Sequence, residues 1–121
     1  GIEIVETTIE SAKRNATDND IHNTYFLAKD ARRGIDDVLD EFGTPDILLL
    51  DPPRSGAGGK VMRRIGRAKP RRVVYVSCNP ASFAEDIKQL SEFGYALKKV
   101  KPVDQFPHTA HVEVVALLTR E

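Results

Sequence analysis

The sequence predicts an α/β fold built on a mostly parallel sheet whose last strand runs antiparallel. Two observations carry this expectation. Short apolar runs alternate with stretches of helical periodicity, the pattern of successive βαβ units. The last two apolar runs, Tyr95 to Val103 and His111 to Thr119, have no helix between them, which implies an antiparallel hairpin at one sheet edge.

The elements follow in order. Gly1 to Val5 is a strand, and it starts without a preceding turn or cap, so the chain is expected to begin inside a larger protein. Thr7 or Thr8 can cap the helix that follows, whose apolar stripe is Ile9, Ala12 and Ala16 and which Asp18-Asn19-Asp20 ends. Thr24 to Ala28 is the next strand, closing at Asp30. Ile35, Val38, Leu39 and Phe42 have helical spacing, and Gly43 and Pro45 stop that helix. The run Asp46 to Leu50 is continuously apolar after its first residue, the mark of a strand covered on both faces. A helix from Lys60 to Ala68 leads to a buried strand from Arg72 to Val76. Phe83, Ile87, Leu90 and Phe93 form the stripe of a further helix that Gly94 ends.

Composition sets limits on function. At 121 residues the chain is one domain or part of one. Eighteen basic residues balance eighteen acidic ones, so the whole carries no bias toward nucleic acid or membranes. The longest apolar stretches fall short of the ~20 residues a membrane helix needs, and no signal-peptide pattern opens the chain. The single cysteine, Cys78, excludes an internal disulfide and a cysteine-rich zinc site, and is compatible with a reducing cytosol. The cluster Arg63, Arg64, Arg67, Lys69, Arg71 and Arg72 can touch RNA phosphates, but a solvated helix face accounts for it as well.

Four groups of residues carry chemistry. Glu3, Asp30 and Asp51 stand at or near three successive strand ends, where a nucleotide fold places carboxylates against ribose hydroxyls; capping of the next helix is the alternative for each. Asp51-Pro52-Pro53-Arg54 is a stiff turn that lacks two backbone donors and holds the Asp51 carboxylate at the sheet edge. Cys78, in Ser77-Cys78-Asn79-Pro80, lies where an apolar run stops and a helix begins; the helix N-terminus favours thiolate over thiol, which suits a nucleophile. A small buried hydrophobe is the ordinary alternative for a free cysteine. Glu113 interrupts the apolar run Val112 to Leu118, and desolvation there suits it to proton transfer unless it faces solvent. His108 and His111 have no further ligand close in sequence, so no metal is expected.

The motifs Asp-Pro-Pro-Arg at Asp51, Val-Ser-Cys-Asn-Pro around Cys78, and Phe-Pro-His-Thr-Ala-His-Val-Glu ending at Glu113 resemble, in order and spacing, the signature of the RNA uracil-C5-methyltransferases. The resemblance covers essentially the whole chain. It implies a Rossmann-like class I methyltransferase fold lacking its first strand and glycine-rich loop, with residues 1–121 a partial catalytic domain of a larger cytoplasmic protein. It implies S-adenosylmethionine as methyl donor, held by Glu3, Asp30 and Asp51, and tRNA or rRNA as substrate. Cys78 is implied as the nucleophile that adds to uracil C6, and Glu113 as the base that removes the C5 proton. Two other readings stand beside it: a non-catalytic remnant or RNA-binding module, and an amino-methyltransferase acting at the Asp51 turn, in which Arg54 replaces the usual aromatic. With half a cofactor pocket, the isolated chain is expected to be inactive and to bind S-adenosylmethionine weakly or not at all. Low-micromolar binding of S-adenosylhomocysteine in a calorimetric titration would overturn that. Exposed sheet edges are also expected to invite pairing between chains.

Overall fold

The computed structural model describes residues 1–103 and 113–120, and among these it holds six strands and four helices. They fall into two compact units, Gly1–Gly43 and Thr44–Glu121.

In the first unit β1 (Ile2–Glu3) and β2 (Leu27–Ala28) pair in parallel, with α1 (Glu6–Asp18) connecting them and α2 (Ala31–Phe42) following. The α1 helix starts earlier than the threonines suggest. Its N-cap is Val5, which offers no side-chain acceptor, so neither Thr7 nor Thr8 caps it. Glu6 in the first turn instead places a negative charge against the exposed N–H groups. The expected stop holds: Asn19 is the C-cap, and Asp20 follows in a left-handed conformation at φ 56°. At the other end of α2, Gly43 takes φ 79° and closes the helix.

In the second unit β3 (Ile47–Leu50), β4 (Arg72–Ser77), β5 (Tyr95–Val103) and β6 (Glu113–Arg120) form one sheet in the order β3-β4-β6-β5. The β3–β4 pair is parallel, and β6 runs antiparallel to both β4 and β5, so the predicted antiparallel closing hairpin is present with β5 at the edge. Helices α3 (Gly59–Ala68) and α4 (Pro80–Ser91) supply the other layer. Alternate residues of β4, Val73 and Tyr75, are fully buried and pair with Leu118 and Ala116 of β6, which are buried too. Met62 and Ile65 of α3 and Leu90 of α4 are buried with them. Each such aliphatic side chain contributes about 1.5–3 kcal/mol by leaving water.

The strand β3 departs from expectation. Ile47 and Leu49 are 58 % and 69 % exposed, so this run is not covered on both faces. The physical reason is its position: β3 is the edge of this sheet and pairs only with β4 among the described strands. An apolar run records what a strand can tolerate, not which neighbours it has.

Where α3 meets the segment after α4, close approach depends on Gly66. A Cβ there would fall 2.4 Å from Cγ and Cδ2 of Phe93. Replacing Gly66 with alanine is therefore expected to lower stability by about 1–3 kcal/mol through overpacking. A urea titration checks this, and an unchanged midpoint would show that Phe93 moves aside at no cost.

Candidate active site

Glu3, Asp30, Asp51 and Cys78 stand at or just past the carboxyl ends of strands, and Glu113 stands at the amino end of one. Glu3 is the last residue of β1, Asp51 follows β3 directly, and Cys78 follows β4 directly. Asp30 lies two residues past β2, and Glu113 opens β6. Residues 104–112, which carry Phe106, Pro107, His108 and His111, lie outside the described residues.

Cys78 sits in a bend that its neighbours pin. The Ser77 hydroxyl donates to the Asn79 carbonyl at 3.0 Å and accepts from the Asn79 N–H at 3.1 Å, so two hydrogen bonds straddle the cysteine. Asn79 is the N-cap of α4: its Oδ1 accepts from the Ala81 N–H at 3.1 Å, and Pro80 begins the helix where no N–H is needed. The thiol is free and half-buried. It therefore combines a fixed backbone with access from outside.

The ladder brings Glu113 to the same place. Ser77 pairs with Val114 in the antiparallel register of β4 and β6. The ladder ends at that pair: Cys78 lies in the bend just past β4, and Glu113 is the first residue of β6. Within β6, Glu113 falls on the same alternate positions as Val115 and Leu117, on the sheet face away from buried Ala116. Glu113 itself pairs with Val103 of β5 and is half-buried.

The acids divide by role. Asp30 is the N-cap of α2: its Oδ1 accepts from the Arg33 N–H at 3.1 Å, and this hydrogen bond holds its carboxyl below the usual carboxylate range, with nearby Arg32 and Arg33 adding to the effect. The capping alternative thus accounts for one of its oxygens. Glu3 accepts a longer bond, 3.4 Å, from the Val5 N–H. Asp51 is exposed and has no hydrogen-bond or ion-pair partner among the described residues. Beyond it, Gly56 N–H donates to the Pro53 carbonyl at 2.8 Å and closes the turn.

The sequence reading missed the residues that hold this turn. Asn79 Nδ2 and Ser82 Oγ both donate to the Arg54 carbonyl, at 3.0 and 2.9 Å. Asp86 Oδ2 accepts from the Ala57 N–H at 2.8 Å and from the Tyr75 hydroxyl. Burial, with Asp86 beside it, pushes the Tyr75 phenol well above its ordinary value of 10.0, so it stays a donor. Tyr95 is also raised by burial. A phenol raised on folding stabilises the protein fully below its unfolded pKa and loses that contribution as pH climbs toward the folded value. Stability should therefore fall above about pH 10, and Tyr75→Phe should flatten part of that fall in pH-dependent thermal unfolding. An equal slope in both proteins would rule Tyr75 out as a source.

An α/β arrangement in which β3, β4 and β5 run one way and β6 runs antiparallel between β4 and β5, with acids at strand ends, has the fold plan of the class I S-adenosylmethionine-dependent methyltransferases. Comparison with solved structures agrees. A Streptococcus thermophilus rRNA methylase matches at a TM-score of 0.71 with 9 % identity over 98 % of this chain, a likeness of fold alone. The Pyrococcus abyssi tRNA (uracil-54, C5)-methyltransferase, solved with S-adenosyl-L-homocysteine, matches at 0.81 with 37 % identity over 98 % of this chain and 28 % of its own.

The family model for tRNA (uracil-5-)-methyltransferase matches residues 1–121, and the chain belongs to that family. Curated relatives named as uncharacterized RNA methyltransferases include one from Bacillus cereus, 48 % identical over 120 residues, and one from Caldanaerobacter subterraneus, 46 % identical over 120 residues. Each match takes in 99 % of this chain and 26 % of the relative, so the chain spans about a quarter of their length. No helix among the described residues is long and apolar enough to cross a membrane.

Proposed function

We propose that this chain is part of the catalytic domain of an RNA uracil-C5-methyltransferase, with tRNA or rRNA as substrate. The observation that carries the reading is the placement of Cys78, in its pinned bend, directly after β4, whose last residue Ser77 pairs with Val114, the chain neighbour of Glu113. A thiol and a carboxylate brought together from two strands suit a reaction that must both add to a ring and later remove a proton.

Uracil C5 is a poor nucleophile. The Cys78 thiolate forms a bond to C6, and the C5=C6 electron pair moves toward the C4 oxygen, which makes C5 carbanion-like. S-adenosylmethionine supplies an electrophilic methyl group to C5. Glu113 then takes the C5 proton, the C5=C6 bond reforms, and the thiolate leaves with its electron pair. The uracil reaches the thiol only if flipped out of its stack. The Asp51 carboxylate, exposed and without a partner among the described residues, fits hydroxyl or ammonium groups of the methyl donor, and so, separately, does the weakly engaged Glu3. Asp30 has Oδ1 committed to α2 and Oδ2 3.8 Å from the Arg33 guanidinium, so it can offer that ligand only an oxygen already shared with Arg33.

The test uses the intact polypeptide that carries this chain, S-adenosylmethionine, and RNA containing 5-fluorouridine. Fluorine at C5 cannot leave as a proton does, so the protein–RNA adduct should accumulate and survive denaturing electrophoresis. An absence of adduct under methyl-donor conditions would favour a non-catalytic module.

A further inference from the structure

Asp86 and Ser77 are the buried polar side chains among the described residues, and Asp86 is only 3 % exposed. A carboxylate in that position needs strong partners. Both of its partners lie outside its own helix: the Tyr75 hydroxyl comes from β4, and the Ala57 N–H from the loop that begins at Asp51. The same loop is braced by Asn79 and Ser82 through the Arg54 carbonyl. Gly56, at φ 86°, passes so close that a Cβ would lie 2.9 Å from Asp86 Oδ2. The loop is thus shaped around the carboxylate. For stability alone, apolar side chains at positions 75 and 86 together would serve about as well, because replacing a whole buried polar set by apolar groups is often neutral or stabilising.

We infer that Asp86 is a positioning residue: through Ala57 its buried carboxylate fixes the turn that carries Asp51 relative to the bend that carries Cys78. The hydrogen bonds stand by themselves, and the purpose of the positioning rests on the proposed function. Displacement of reacting groups by about 1 Å can lower a rate by about 100-fold.

The test compares wild type, Asp86→Asn and the double variant Tyr75→Phe/Asp86→Leu in the intact polypeptide. The asparagine keeps a carbonyl oxygen able to accept both bonds. The double variant removes the buried Tyr75 hydroxyl together with its acceptor, and the Ala57 N–H, on a half-buried residue, can turn to water, so the fold is expected to be retained. Amide hydrogen exchange at Ala57 and the rate of adduct formation with 5-fluorouridine RNA are measured. In the folded double variant the Ala57 amide should lose its protection and the adduct rate should fall at least tenfold, while Asp86→Asn stays within about threefold of wild type. A double variant with the wild-type rate overturns the inference, as does an asparagine variant equally slow. If wild type forms no adduct, the functional reading fails and exchange alone decides. An Ala57 amide equally protected in wild type and double variant then overturns the inference, and one released only in the double variant upholds it.

Discussion

Replacing Cys78 with alanine in the intact polypeptide is expected to abolish the covalent complex with 5-fluorouridine RNA and to cut methylation of ordinary uridine by on the order of 1,000-fold or more. The size follows from the chemistry. Without addition at C6, no electron density reaches C5, and no other group can compensate by positioning alone. The effect on the fold should be small. The residue is half-buried, the bend is held by Ser77 and Asn79, and neither of those bonds uses the thiol. A thermal midpoint close to wild type, together with lost activity, separates a nucleophile from a packing residue. A variant that retains methylation would instead direct attention to an amino-methyltransferase reaction at the Asp51 turn.

Glu113→Gln should give the opposite phenotype at the level of the intermediate. Addition and methyl transfer do not need the carboxylate, whereas proton removal does, so the methylated adduct should accumulate on natural uridine with no fluorine present. Turnover should fall by about 100- to 10,000-fold, the range typical for loss of a general base. The amide preserves side-chain size and the β6 ladder position opposite Val103. Denaturing electrophoresis of Glu113→Gln with unmodified RNA checks the idea. Rapid turnover without a trapped species would remove Glu113 from the role of base.

How far the sequence could be read varies with the physics of each element. Helices with a stripe and a stop signal were legible: Gly43 ends α2 in a positive-φ conformation, and Pro80 begins α4 behind the Asn79 cap. β4 was legible because its apolar run is buried on alternate positions and stops at Ser77. β3 looked the same in sequence but is an edge strand, because exposure depends on neighbours that a run of leucines cannot specify. In the site, the thiol and the acids were visible as residue types at strand ends. The bracket around the Asp51 turn was not, because two of its groups are backbone atoms, the Arg54 carbonyl and the Ala57 N–H. Asp86 did leave a trace. It falls three residues after Phe83 and four before Leu90, within the apolar stripe of α4, where a carboxylate is out of place unless something buried meets it.

The antiparallel placement of β6 between β4 and β5 has a consequence for how the molecule assembles over time. The cysteine's strand leaves the ribosome well before Glu113 does, and β6 pairs with both neighbours only at the end. Until then β4 and β5 have no common partner, and the thiol stands beside an unfilled slot. Such a contact is distant in sequence and slow to close. A nascent or proteolytically shortened chain without β6 would present a thiol at an open sheet edge with no carboxylate opposite. On the proposed reading, the order of synthesis keeps the thiol and the carboxylate apart until the sheet is finished.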